Sequence, residues 1–68
     1  MSEVAKVVEI TAASEAGIED AVQVGLKKVS GTVKNICGAW VNEIKVTTDK
    51  DGNVAEWRVN MRVSFVVD

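Results

Sequence analysis

The most constraining feature of this sequence is an apolar–polar alternation that runs from Ala55 to Val67. Successive side chains of a strand point to opposite faces, so period two predicts one long strand with an apolar and a polar face. The apolar positions are Ala55, Trp57, Val59, Met61, Val63, Phe65 and Val67, and the polar ones are Glu56, Arg58, Asn60, Arg62 and Ser64. A typical strand has about 5–6 residues. This one must therefore curve strongly or extend beyond its own subunit.

The length of the chain predicts self-association. Its 68 residues allow one domain, spanning 1–68, and a core of this size supplies only about 3–5 kcal/mol unless something staples it. Cys37 is the only cysteine and there is no histidine, which leaves neither an internal disulfide nor a zinc site. Since 47% of the residues are hydrophobic, we expect part of the apolar surface to meet another copy of the chain.

The first half of the sequence predicts a strand followed by a helix. Val4–Ala12 is rich in valine on both faces, as in a strand that is covered on two sides. Ser14 is the predicted N-cap, and Asn35–Gly38 is the predicted end, with Gly38 at positive φ. Between them, an apolar stripe recurs at steps of three and four residues: Ile18, Ala21, Val22, Leu26, Val29 and Val33. Gly25 on this stripe indicates the close approach of a strand.

The second half predicts a hairpin. Ala39–Thr48 is strand-like, but its alternation is broken, which either a bulge or burial on both sides would explain. Asp49–Asn53 has turn composition. This segment also resembles the start of an EF-hand loop, but Val54 and Asn60 occupy positions that the loop reserves for glycine and glutamate. A hairpin turn is therefore favoured, and the predicted fold class is α+β with the order β-α-β-β.

Charge and motifs exclude several classes of function. The net charge of −2 and the pI of about 5.0 disfavour nucleic acid and anionic membranes as partners. Met1–Ile10 does not have the pattern of a secretory signal, and no apolar run approaches the ~20 residues of a membrane span. We therefore expect a cytoplasmic protein. No nucleophile–base pair, phosphate loop or metal-spaced cluster is visible, and Cys37 has no histidine to activate it and is expected to be a small buried residue. We do not expect an enzyme.

Four segments in order resemble the dodecin family over essentially the whole chain: Lys6–Ile10, Ala13–Ala21, Val41–Lys45 and Trp57–Phe65. The resemblance implies an antiparallel three-stranded sheet half-wrapped round one amphipathic helix, and a hollow homododecamer. Flavin-type members bind flavins in pairs at subunit interfaces. A tryptophan stacks on the isoalloxazine ring and a glutamine bonds its polar edge. Such proteins store or buffer the ligand without turning it over.

The sequence departs from this pattern at the ligand positions. Gly38 falls where the family has its stacking tryptophan, and Trp40 follows two residues later, on the same strand face. Arg58 falls where the family has its glutamine, and arginine can donate but cannot accept a hydrogen bond. We therefore expect binding of FMN or riboflavin to be weak or lost. Arginine at this position resembles the branch of the family linked with calcium, so a calcium or other cation-binding shell is the alternative, beside a true flavin store or a purely structural assembly.

The candidate ligand-binding residues are thus Gly38, Trp40 and Arg58. Arg58 could hold an anion together with Arg62, or form a cross-strand or intersubunit ion pair with Glu43 or Glu56. Trp40 could stack on a ligand or anchor an interface. Trp57 is expected in the core or at an interface.

Overall fold

The computed structural model describes residues 2–68 and confirms the predicted β-α-β-β order. The elements are β1 (Val4–Ser14), α1 (Ile18–Ser30), β2 (Ile36–Thr48) and β3 (Val54–Val67). The strands form one antiparallel sheet in the order β1-β3-β2. β3 is therefore the central strand, and β1 and β2 each leave one edge unpaired.

The alternation of β3 divides the sheet into two faces, as predicted. Val59, Met61 and Val63 are at most 1% exposed and form the core with Ala21 of α1. We call this side, which α1 covers, the helix face. α1 packs against β1 and β3, and several half-buried residues complete the cluster. They are Val8, Ile10, Ala12, Ile18, Val22, Leu26, Ile36 and Val41.

Gly25 marks the closest approach of α1 to the sheet. A Cβ atom added there would lie 2.8 Å from Met61 Cε and 2.9 Å from Ala12 Cβ. Real Cβ contacts are not this short, so the helix could not sit at this depth with a larger residue. The expected close approach of a strand is confirmed.

The start of the helix differs from the prediction. Ser14 is the last residue of β1, where it pairs with Trp57, and the N-cap is Gly17 at φ 148°, without a side-chain capping bond. The Ser14 hydroxyl is used locally instead: it accepts from Ala16 N at 2.9 Å and donates to Asp20 Oδ2 at 2.6 Å. Pairing with β3 thus extends the strand two residues past Ala12, and the N-cap role of Ser14 was wrong.

The end of the helix also differs. α1 stops at Ser30, and Gly31 is the C-cap at φ −70°. The amides of Thr32 and Val33 both donate to Val29 O, at 3.0 and 2.9 Å. The predicted end at Asn35–Gly38 was wrong, because β2 already pairs with β3 from Ile36. The chain reverses earlier, with positive φ at Asn35 rather than at Gly38.

Irregularities in β2 explain its broken alternation. The register with β3 shifts between Ile36 and Gly38, between Val41 and Glu43, and between Thr47 and Thr48. A bulge, one of the two alternatives, is therefore present. The shift after Val41 resets the parity of the strand, so Trp40 lies on one face of the sheet and Ile44 and Val46 lie on the other.

The turn between β2 and β3 is a hairpin, as predicted. Asp49 N donates to Asn53 O at 2.9 Å. The Asp49 carboxylate accepts from Asp51 N at 2.9 Å, from Asn53 N at 3.0 Å and from Asn53 Nδ2 at 3.2 Å. These bonds with Asn53 and Asp51 favour the charged form and lower the pKa of Asp49. The carboxylate is thus occupied in holding the turn.

Candidate functional site

The side of the sheet away from α1 is polar and uncovered, and we call it the open face. It is built from alternate residues of β3 and their neighbours on the outer strands, which form four rows across the sheet. The rows are Val7–Ser64–Gly38, Glu9–Arg62–Trp40, Thr11–Asn60–Glu43 and Ala13–Arg58–Lys45. All three predicted ligand residues therefore lie on one face.

Trp40 dominates the second row. Its side chain is 62% exposed, and the Arg62 guanidinium carbon lies 5.1 Å from the ring centroid. A cation over an indole at an exposed site contributes about 0.5–1 kcal/mol. Arg62 therefore orients the indole and places a positive charge beside a large open aromatic surface. An aromatic ligand with an anionic group is the chemistry that such a pair can hold.

Gly38 leaves the neighbouring row flat. The Ser64 hydroxyl donates to Gly38 O at 3.2 Å, and a Cβ atom at Gly38 would come within 3.6 Å of Ser64 Oγ. That spacing is ordinary contact, so a side chain could be accommodated there. The expectation that Gly38 and Trp40 share a face is confirmed, and the two residues together give a shallow floor beside an aromatic wall.

Cys37 lies beside this floor and is exposed rather than buried. Its Sγ is 3.6 Å from both Ser64 O and Ser64 Oγ. The expected burial was wrong because Cys37 is the extra residue of the first bulge in β2, between Ile36 and Gly38. A bulged residue has no partner on the next strand.

Arg58 is not close to Trp40 within one chain. It lies four residues along β3 from Arg62, the neighbour of Trp40, which is about 13 Å along a strand. Arg58 Nη1 donates to Glu56 Oε1 at 2.7 Å in a half-exposed ion pair. Glu56 is one of the two acids predicted as partners, but the pair is neither cross-strand nor intersubunit, because both residues lie on β3. Because Arg58 and Arg62 lie about 13 Å apart along β3, they do not converge on one anion.

The third and fourth rows, which contain Asn60 and Arg58, enclose a small charged depression of about 200 Å³. Thr11, Glu43, Lys45, Arg58 and Asn60 line it together with Val59. Asn60 Nδ2 donates to Thr11 Oγ1 at 3.1 Å, which fixes its floor. The open face is therefore divided into an aromatic half near Trp40 and a charged half near Arg58.

Cation ligands are dispersed in a single chain. Within residues 2–68, no three cysteine or carboxylate side chains converge as metal ligands. Asp49, the acid with the most bonds, serves its own turn. A cation held by carboxylates would therefore need side chains from more than one copy.

Arg62 is the site residue that the sequence did not reveal, because the pattern of β3 relates it only to Arg58 on the polar face. Its contact with Trp40 depends on the bulges of β2, which set the pairing across the strands. The alternation of β3 did place Arg62 on the polar face. No pattern in the sequence fixes which residue of β2 stands opposite it.

Comparison with known proteins matches the whole domain. A family model described as Dodecin covers residues 4–68. The chain is similar to a dodecin from Streptomyces davaonensis, with 29% identity, a TM-score of 0.92, and 100% and 98% of the two chains covered. The chain is also similar to an arginine variant of the Thermus thermophilus dodecin, with 33% sequence identity, a TM-score of 0.90, and 98% of each chain covered. The similarity to the calcium dodecin of Mycobacterium tuberculosis has 28% sequence identity and a TM-score of 0.81, and covers 96% of this chain and 91% of the other. Curated protein sequences give no significant match.

Within residues 2–68, the single helix is neither long nor apolar enough to cross a membrane.

Proposed function

The chain belongs to the dodecin family, and from this premise we propose that it forms a homododecameric shell that stores a small aromatic, anionic ligand. The ligand lies on the aromatic half of the open face, between subunits. It stacks on Trp40, with its negative charge toward Arg62. The exposed Trp40–Arg62 pair beside the flat Gly38–Ser64 floor is the observation that carries this proposal.

Self-assembly is supported by how little a single chain buries. Within residues 2–68, four apolar side chains are fully buried, those of Ala21, Val59, Met61 and Val63. Twice as many large apolar side chains stay exposed. These are Val4, Val7, Val24, Trp40, Ile44, Val46, Val54 and Val67. Association with further copies would remove much of this surface from water and strengthen a small core.

Flavin is expected to bind weakly. The aromatic wall stands at Trp40, about 7 Å along the strand from the family position at Gly38. Arg58 can donate to a flavin carbonyl, but it cannot accept from a ring N–H as a glutamine does. The shell therefore favours a ligand that needs a stacking surface and a cation rather than a paired donor and acceptor. Storage without turnover is part of the proposal, and so is a cytoplasmic location, which suits the unpaired Cys37.

Fluorescence titration with FMN and riboflavin tests the ligand site. We expect weak quenching by the natural sequence, stronger for FMN because its phosphate can meet Arg62, and loss of that quenching in Trp40→Ala. The double variant Gly38→Trp with Arg58→Gln restores the family pattern, and we expect it to bind flavin more tightly. Equal binding by the natural sequence and Trp40→Ala would remove Trp40 from the site. Light scattering checks the shell, and a monomer at micromolar concentration would contradict the proposal.

A cation-binding shell is the second candidate. It is favoured by the similarity to the calcium dodecin of Mycobacterium tuberculosis and by the arginine at position 58. The carboxylates involved would come from several copies grouped about a symmetry axis. Calorimetry with calcium is the test, and the absence of both heat and a thermal shift would reject this candidate.

A further inference from the structure

The β2–β3 hairpin extends past the rest of the sheet. β1 ends at Ser14, opposite Trp57, so the strands continue beyond this point as a two-stranded ribbon. We call residues 44–57 the hairpin arm; it comprises this ribbon and the adjoining end of the three-stranded sheet, where Val46 pairs with Trp57. On its helix face the arm carries Ile44, Val46 and Trp57, of which Ile44 is 54% and Val46 38% exposed. α1 packs on β1 and β3, and Ile44 and Val46 stay exposed, whereas Trp57 is half-buried.

A groove of about 930 Å³ lies at the other edge of the sheet, between α1 and β1. We call it the α1–β1 groove. Ile10 and Ala12 line it from β1, and Val24, Gly25 and Val29 line it from α1. Val24 is half exposed, although it belongs to the helix that covers the core. The small residues Ala12 and Gly25 let α1 approach the sheet closely and form the floor of the groove.

The hairpin arm cannot fill the groove of its own chain. The apolar strip of the arm is centred on β2 and the groove borders β1, and these strands are the two outer strands with β3 between them. An arm that occupies the groove must therefore come from a second copy. Such a contact joins two different surfaces of the same chain, and repeated contacts of this kind close into a ring when the rotation between copies allows it.

Charge also favours this pairing. Lys27 and Lys28 lie along the groove, whose lining among the described residues includes no acid. The tip of the arm carries Asp49 and Asp51 against one lysine, Lys50. The lowered pKa of Asp49 keeps its carboxylate charged at neutral pH. The acidic tip and the basic groove would attract each other and suppress the alternative contact of arm with arm.

We infer that the hairpin arm of one copy packs Ile44, Val46 and Trp57 into the α1–β1 groove of the next copy. The contact also covers the unpaired edge of β1, which would otherwise be open to uncontrolled strand pairing. This inference rests on the proposed shell and specifies one of its interfaces. It assigns to Trp57 a role at a contact between copies, while Trp40 remains free for the ligand.

Disulfide trapping tests the interface. In a Cys37→Ser background, Val24→Cys is refolded together with Val46→Cys or with Ile44→Cys, and the mixture is then oxidised. All three positions are exposed, so the substitutions should disturb the fold little. We expect a disulfide-linked dimer from each mixture and none from any variant alone. The matched control is Val24→Cys with Val4→Cys, an exposed position outside both surfaces, which should give no dimer.

Two results would overturn the inference and leave the shell intact. One is a normal oligomeric mass by light scattering with no cross-link from either arm position. The other is a cross-link from Val4→Cys that forms as readily as those from the arm. A monomeric chain would instead contradict the proposed function itself, so the two failures are distinguishable.

Discussion

The two faces of β3 differ although they share one backbone. Val59, Met61 and Val63 are buried under α1, whereas Arg58, Asn60 and Arg62 lie between them on the open face. The three buried residues pack on Ala21 and other residues of the same chain to form the core. The three residues on the open face make a few bonds to their neighbours and leave charge and ring surface exposed. The helix face of β3 thus makes the core, and its open face is where the proposed ligand lies.

The largest effect that would separate the faces comes from adjacent residues. Met61→Ala should destabilise the protein by about 2–5 kcal/mol, because it leaves a cavity in the core. Asn60→Ala should cost about 0.5–1.5 kcal/mol, because it removes one hydrogen bond to Thr11 at an open surface. Urea unfolding at one fixed protein concentration measures both. Equal losses would show that the open face is as closely packed as the helix face.

Gly25→Ala tests how tightly the helix face is closed. The new methyl group would press on Ala12 and Met61, and overpacking of this kind costs about 1–3 kcal/mol. The gain in helix propensity offsets about 1 kcal/mol of this, so we expect a net loss of up to about 2 kcal/mol. Gly31→Ala is the control, since this residue is exposed at φ −70°. This substitution should change the midpoint of urea unfolding little. A more stable Gly25→Ala protein would contradict the close approach.

Trp40 and Arg62 test the open face by their coupling. A double-mutant cycle with Trp40→Ala and Arg62→Ala should give an interaction of about 0.5–1 kcal/mol without ligand. Each single variant should leave the core intact and should lose most of the FMN quenching. Because Trp40 and Arg62 lie on the open face and not in the core, ligand binding should fall far more than stability does. A cycle with no coupling would mean that Arg62 does not orient the indole in solution.

The smallest effect concerns the turn that sets the register of the hairpin and so decides which residues reach each face. The folded pKa of Asp49 is below its ordinary value of 3.8. The carboxylate therefore contributes stability at pH values above 3.8, and this contribution is lost as the pH falls through the lowered pKa. Asp49→Asn should flatten the loss of stability in this acidic range. Thermal unfolding from pH 6 to pH 3 compares the two proteins, and parallel profiles would exclude the carboxylate as a turn anchor.

The faces of β3 were predictable because period-two alternation depends only on the residues of that strand. The close packing at Gly25 was predictable for a similar reason, since a glycine on an apolar stripe points to a neighbour. The ends of α1 were not predictable in this way. Ser14 has the chemistry of an N-cap, but pairing with Trp57 keeps it in β1. This pairing joins two distant parts of the chain, and local preference cannot show it.

The candidate site was predicted only in part. Parity placed Gly38 with Trp40 on one face of β2 and Arg58 on the polar face of β3, but only the observed pairing shows that these are the same face of the sheet. Their spacing and their partners depend on register shifts between β2 and β3, each of which changes which residues stand opposite each other. The contact of Trp40 with Arg62 follows from these shifts, and so does the exposure of Cys37. Contacts between copies lie beyond any pattern in a single chain.

The central place of β3 also governs the order of events when the chain is made. β1 and α1 leave the ribosome first, but the strand on which both of them pack is the last element of the chain. Synthesis adds roughly 5–20 residues per second. For a few seconds the valines of β1 and the apolar stripe of α1 therefore have no β3 to pack against. The sheet can close only after β3 emerges, and its pairing of Val4 with Val67 joins nearly the full length of the chain. The subunit can therefore complete its fold only once β3 has been made.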